Sequence, residues 1–302
     1  MGGGSVGLIR LLVCACLFPV LTFASEHIEV YGDSISAGFL SRTRVTAAPP
    51  LSEVGVTISN LAMYLMDREK NKHYVDKEHA PDLAWPALVA KEIDPAGPVK
   101  LYNNAVSSSR AWEMAGQVRS NKAPAGKTRA FFFIGHNDLC NNLDTPKNIA
   151  AAFGNEMDDA LRLWDAAHSD SVAYLVPVAD IHRVYKALDG FIWHRGTKKN
   201  YTCMDSWTKF FPYCASHYAK FKVGALDTYM VPRLDAMNDM LDARALAWSK
   251  KSTKNRFVYL KNAHDTPYLK EFFAVDCFHM SPEGQRQIAD RVLEMLRKFE
   301  MP

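Results

Sequence analysis

The 302-residue chain is 48% hydrophobic and 23% charged, with 36 basic against 33 acidic side chains and a net charge of +3. A chain of that length and balance can bury one large core, which excludes a disordered or fibrous protein. It has no concentrated Lys/Arg stripe with interleaved aromatics, so no nucleic-acid partner is expected.

The N-terminus reads as a targeting segment. Arg10 precedes a run of uncharged, mostly apolar residues from Leu11 to Phe23, and Thr22-Phe23-Ala24 closes it with a small residue. That is the pattern of a cleavable secretory signal over residues 1–24, and the run is too short to span a bilayer. The expected location is therefore secreted, periplasmic or otherwise extracytoplasmic. Residues 25–302 show no repeats, low-complexity segments or long linkers, so they are expected to form a single domain.

Short apolar runs at His27–Tyr31, Val99–Tyr102, Ala130–Ile134, Val172–Val178 and Arg256–Leu260 read as strands buried on both faces of a parallel sheet. Thr145-Pro146 looks like a cap followed by proline at the first helical position, with Ile149, Phe153, Ala160, Leu161 and Trp164 on one face. Leu234, Met237, Leu241 and Trp248 mark a helix after Pro232. Ser281-Pro282 opens the last helix, whose stripe is Ile288, Val292, Leu296 and Phe299. The expected fold class is α/β, a three-layer α/β/α sandwich around a five-stranded parallel sheet.

Two stretches break this alternation. Residues 41–82 are polar and mixed, with a short helix expected at Ile58–Met66. Residues 180–226 are rich in aromatics and carry Cys203 and Cys214. Both read as insertions near a site. Asn200-Tyr201-Thr202 is a glycosylation sequon if the source is eukaryotic.

Four segments carry chemistry, each beside a strand or helix end. Gly32-Asp33-Ser34 follows the first strand, where open α/β sheets place their ligands, although the same tripeptide also makes an ordinary polar turn. Asn103 to Arg110 follows the second strand with small residues that can aim backbone amides into a cleft. Gly135-His136-Asn137-Asp138 follows the third, and the Asn137 amide can donate to a developing oxyanion. Asp276-Cys277-Phe278-His279 precedes the last helix; a carboxylate three residues before an imidazole can orient it as a base for a serine.

The order of these four segments resembles the SGNH, or GDSL, hydrolases from about residue 27 to the C-terminus. Within them the chain is most similar to the phospholipase B-type GDSL lipases. Their Asn-x-Ala-x-x-Gly-Ala-Arg-Ala, Ile-Gly-x-Asn-Asp-Leu-Cys and Asp-Cys-Phe-His blocks correspond to Asn103–Ala111, Ile134–Cys140 and Asp276–His279. The resemblance implies a flavodoxin-like SGNH fold, with Ser34 as nucleophile, His279 as base and Asp276 as orienting acid. The oxyanion hole would consist of the Ser34 and Ser108 amides and the Asn137 side chain. Ser108 stands where the family has glycine, which matters if the backbone there needs a positive φ. His136 fills a variable position and is assigned no proton transfer.

Cys140, Cys203, Cys214 and Cys277 remain after signal cleavage, an even count that suggests two disulfides with three connectivities open, and no pair has zinc-ligand spacing. Placing the resembling blocks at one sheet edge predicts Cys140–Cys277, leaving Cys203–Cys214. The expected activity is that of an exported serine ester hydrolase on lipid or phospholipid acyl esters. It would need no metal or organic cofactor and act as a monomer with transient membrane-surface contact. Phe191, Trp193, Trp207, Phe210, Phe211 and Tyr213 could line an acyl site. The alternatives are a carbohydrate O-acetyl esterase on the same fold and a non-catalytic lipid- or glycan-binding module.

Overall fold

The computed structural model describes residues 27–39, 41, 82–93, 99–124, 126–141, 144–188, 192–194, 200–203, 223–261, 263, 267–274 and 276–300. Five strands, β1 (His27–Gly32), β2 (Lys100–Asn103), β3 (Thr128–Phe133), β4 (Val172–Leu175) and β7 (Arg256–Tyr259), form one parallel sheet in the order β2-β1-β3-β4-β7. Among the described residues two further strands, β5 (Ile192–His194) and β6 (Asn200–Thr202), pair antiparallel inside the second insertion. Every predicted sheet strand is present, with its ends shifted by a few residues, and the antiparallel pair is an addition.

The apolar runs are continuous because both faces of the sheet are covered. On one side lie α3 (Ala111–Ser120), α5 (Pro146–Ala167) and α7 (Val223–Lys251); on the other, α2 (Trp85–Ile93) packs against α8 (Pro282–Glu300). Alternate residues of β3 serve the two layers. Phe132 packs edge-on to Trp164 of α5, while Phe131 and Phe133 meet the edge of Trp85 on α2.

Thr145 caps α5 as its sequence predicts, its hydroxyl accepting the Asn148 N–H at 3.2 Å, and Ile149, Phe153, Ala160, Leu161 and Trp164 are all buried. In α8 the stripe differs in one place. Val292 and Leu296 are buried, but Phe299 is 44% exposed, while the next residue, Glu300, bonds Arg129 of β3 and Tyr174 of β4. Pro232 does not start α7 but lies inside it, nine residues from its beginning. A proline removes one N–H and normally breaks a helix. Here the buried stripe of Met230, Leu234, Met237 and Leu241 runs across it and holds both sides against the same core.

The strand order fixes where a site can form. The chain moves from β1 to β2 on one side, then crosses to β3 on the other, so the carboxyl ends of β1 and β3 flank a topological switch point. The segments after those two strands contain Ser34 and Asn137. Gly32, at the end of β1, is required by close approach: a Cβ there would lie 2.5 Å from the Phe133 carbonyl oxygen.

Candidate active site

The chain leaves β1 through Asp33 and enters a single helical turn, α1 (Ser34–Ala37). Asp33 caps that turn, its Oδ1 accepting the Ile35 N–H at 3.0 Å. Side chains from distant parts of the chain brace the same turn. Gln117 bonds both the N–H and the carbonyl of Gly32, at 2.9 and 2.8 Å. The Asn103 amide donates to the Ser36 carbonyl at 2.8 Å, and Gln285 of α8 donates to the Ile35 carbonyl at 3.1 Å. The result is a serine held at a fixed angle with 8% of its surface exposed.

His279 arrives from the loop before α8. Its Nε2 lies 2.8 Å from the Ser34 Oγ, and its Nδ1 lies 2.5 Å from Asp276 Oδ2. Asp276 is fully buried, and its other oxygen accepts the Phe278 and His279 N–H groups at 3.1 and 3.0 Å, which winds residues 276–279 into a tight turn. A carboxylate can only accept, so Nδ1 carries the proton and Nε2 presents its lone pair to the serine hydroxyl. The Phe39 and Phe278 rings pack on the imidazole, with centroids at 4.7 and 5.2 Å.

Asn137 lies in α4 (His136–Asn141), the helix that follows β3. Its Nδ2 donates one hydrogen to the Ser109 carbonyl at 2.9 Å, which orients the side chain toward the loop after β2. The next residue, Asp138, accepts the Ala111 N–H at the start of α3 at 3.1 Å, so the two loops are pinned together at consecutive positions. Burial pushes the Asp138 carboxyl up to about 7, against the Ala111 bond and the Arg110 charge; Glu156 and Asp33 add to the rise. Ser108 is exposed just ahead of these anchors with φ of 66°, the left-handed conformation that the family glycine favours. Gly135, at the other loop, also has a positive φ of 120°.

The structure thus brings together Ser34, Asp276 and His279, and places Ser108 and Asn137 on the loops beside them. Phe191, Trp207, Phe210, Phe211 and Tyr213 lie outside the described residues, as do the expected Ile58–Met66 helix and residues 1–24. For Trp193 and Asn200 the described part is the backbone, in β5 and β6.

The predicted disulfide pairing is corrected. Cys277 bonds Cys203, with Cα atoms 5.6 Å apart, and not Cys140. Sharing a sheet edge does not bring two Cα atoms within bridging distance with converging Cβ vectors. Cys203, the residue after β6, instead meets the 276–279 turn. Cys140 is itself disulfide-bonded, and Cys214 lies outside the described residues.

Three features of the site escaped the sequence. Gln117 and Gln285 brace the serine turn from helix faces where polar residues usually meet solvent. His136 sits behind Asp33, and nothing in its local sequence points there. The detectable signal was Asp33 itself, since an acid ahead of a short turn is a capping residue.

Among the described residues, one group has metal-ligand chemistry: His27, Glu29 and His168, all buried. It lies under the sheet, away from Ser34, and its contacts form a hydrogen-bonded ion network. Glu29 Oε2 accepts from Tyr31 and the Trp164 indole at 2.8 and 3.0 Å, and Oε1 faces the Nε2 atoms of His27 and His168, each at 3.1 Å. The His168 Nδ1 faces the Trp164 carbonyl at 2.8 Å, so both of its nitrogens donate and the ring is an imidazolium. Burial raises the Glu29 carboxyl, but His168 and the other donors outweigh it and hold the group down at about 2.

A serine, histidine and aspartate in hydrogen-bonded sequence, at the switch point of a parallel α/β sheet, have the geometry of a serine hydrolase. The GDSL-like lipase/acylhydrolase family model matches residues 28–292, and the chain belongs to that family of esterases and lipases. Among solved structures it is similar to an extracellular lipase from Streptomyces rimosus, at 12% identity over 89% of this chain and 99% of that one, with a TM-score of 0.49. It is also similar to a carbohydrate esterase, at 10% identity over 92% of this chain and 69% of that one, with a TM-score of 0.49. A third is the psychrotrophic esterase EstA from Pseudoalteromonas sp., at 10% identity over 92% and 100%, with a TM-score of 0.44. These likenesses are too remote to carry an argument about substrate. No curated protein matches the chain.

Proposed function

We propose that this protein is an exported serine ester hydrolase that cleaves lipid or phospholipid acyl esters through an acyl-enzyme. The observation that carries the reading is the Ser34 Oγ at 2.8 Å from an imidazole nitrogen whose tautomer Asp276 fixes. Ser34 Oγ attacks the ester carbonyl carbon while its proton passes to His279 Nε2, and the carbonyl electron pair becomes an oxyanion. The Ser34 and Ser108 amides and the Asn137 Nδ2 donate to that oxyanion; one such donor is worth roughly 3 kcal/mol. Collapse expels the alcohol, which takes the proton from Nε2. Water, deprotonated by the same nitrogen, attacks the acyl-enzyme, releases the acid and returns the proton to Ser34.

Export is supported by the apolar N-terminal run and by the disulfides, which persist in oxidising compartments. A lipid substrate is supported by two exposed apolar residues on the loop that carries Ser108 and the helix that follows it: Val106 at 49% and Trp112 at 62% exposure. Among the described residues no helix is long and apolar enough to cross a membrane.

A fluorophosphonate probe tests the enzyme. Wild type should label on one serine, and Ser34→Ala should not; a folded wild type that stays unlabelled refutes the activity. A chain-length series of p-nitrophenyl esters then tests the substrate. Preference for medium or long acyl chains supports a lipid ester. Preference for acetate alone points to a carbohydrate O-acetyl ester.

A further inference from the structure

His136 is 2% exposed and bonded at both ring nitrogens. Its Nε2 accepts the Ala179 backbone N–H at 3.0 Å, and its Nδ1 lies 2.7 Å from Asp33 Oδ2. A backbone amide can only donate, so Nε2 bears a lone pair, and the ring's one proton sits on Nδ1 and goes to Asp33. The Phe133 ring meets the imidazole edge-on at 4.8 Å and fixes its plane. Asp33 uses its other oxygen to cap the turn that begins with Ser34. One neutral imidazole thereby ties together the segments leaving β1, β3 and β4 at the sheet edge where Ser34 sits.

We propose that His136 is a positioning residue for Ser34, and that protonation of its Nε2 releases the serine turn, giving the enzyme an acid switch separate from His279. A proton added at Nε2 would point at the Ala179 N–H, donor against donor, across a 3.0 Å gap. That contact cannot survive, so the ring or the segment after β4 must shift. A shifted ring takes Asp33 with it, and Asp33 Oδ1 caps the turn that carries Ser34 by accepting the Ile35 N–H. The charged groups facing the imidazole are few. Asp33 comes from the β1 side; Asp180 is next to Ala179 and paired with Arg183 at 2.7 Å; Asp138 lies two residues along α4 and interacts with Asp33. Phe133 on β3 contributes only its ring.

The inference rests on the proposed ester hydrolysis for its kinetic arm but not for its spectroscopic one. Long-range ¹⁵N spectra of wild-type imidazoles should show His136 as the neutral Nδ1–H form near neutral pH, with the Ala179 amide shifting as the ring protonates. An Nε2–H form, or an Ala179 amide that does not respond, overturns the clamp whether or not the protein is an esterase.

In kinetics on a soluble p-nitrophenyl ester, log kcat/KM of wild type should fall toward acid more steeply than that of a variant whose residue 136 cannot take up a proton. His136→Leu, which can neither accept nor donate, should lose about 30-fold in kcat with KM nearly unchanged. His136→Gln offers an oxygen to Ala179 and an amide hydrogen to Asp33 without titrating. It should restore most of that loss and make the acid limb shallower by about one proton. A wild-type acid limb no steeper than that of His136→Gln, wherever both stay folded, overturns the switch. So does a folded His136→Leu with full activity. An inactive wild type whose spectra show the Nδ1–H clamp would count against the hydrolase reading alone.

Discussion

Ser108 offers the sharpest test of how the oxyanion donors are arranged. With φ at 66° it occupies a region that costs a non-glycine residue about 1–2 kcal/mol. Its side chain is exposed, so nothing packed is lost when it changes. Ser108→Gly removes the left-handed penalty but adds about 0.5–1 kcal/mol of unfolded-chain entropy. The two nearly cancel, and since the amide is unchanged, kcat should stay within about threefold. Ser108→Val is different. A β-branched side chain is a genuine outlier at positive φ. The cheapest relief is rotation of the 107–108 peptide, which turns the N–H out of the cleft. The anchors after it, Asn137 to the Ser109 carbonyl and Asp138 to the Ala111 N–H, and the Val106 N–H bond to the Gly32 carbonyl before it keep the rest of the loop in place. Losing one donor costs roughly 3 kcal/mol of barrier, or about 100-fold in kcat. Steady-state hydrolysis of a p-nitrophenyl ester, with thermal melting to confirm folding, reads both variants. A folded Ser108→Val with kcat within about threefold of wild type would refute the assignment of that amide to the oxyanion.

Three further outcomes follow from contacts already described. Asp276→Asn keeps an acceptor for the two backbone amides but can turn an N–H toward His279 Nδ1, moving the ring proton to Nε2; kcat should fall about 10⁴-fold with little change in melting temperature. Cys203→Ala opens a crosslink of sequence separation 74 and should cost up to about 4 kcal/mol, read by denaturant titration, with Cys277 becoming alkylatable in the folded variant. Glu29→Gln sets an amide N–H against at least one of four donors and should cost about 3–5 kcal/mol in the same titration.

The Glu29 network also sets a pH window. The carboxyl is lowered from 4.5 to about 2, so its contribution, about 3 kcal/mol, is present above pH 4.5 and is lost as pH falls toward 2. His168 is raised from 6.5: burial opposes its charge, but the Glu29 hydrogen bond and charge outweigh it. Its share is complete below 6.5 and fades as pH rises through the raised value. In Glu29→Gln both slopes should flatten, and a variant with the wild-type pH dependence of stability would rule out the ion pair.

The sequence by itself determined the parallel sheet and the order of the chemical segments. Those properties depend on near neighbours along the chain: continuous apolar runs where both sheet faces are covered, a Thr145-Pro146 cap, a serine one step past a strand. The four segments could be read because each lies directly beside a strand or helix end, where sequence fixes local direction. Tertiary structure alone decided the partnerships. Cys277 meets Cys203, 74 residues earlier, and chain order carries no information about which Cβ vectors converge. Gln117 and Gln285 brace Gly32 and Ile35 from 85 and 250 residues away. His136, which local sequence gives no role, acquires one because Asp33 and the Ala179 amide converge on its two nitrogens. Hydrogen bonds of that reach depend on how the layers stack, and the stacking exists only once the sheet has closed.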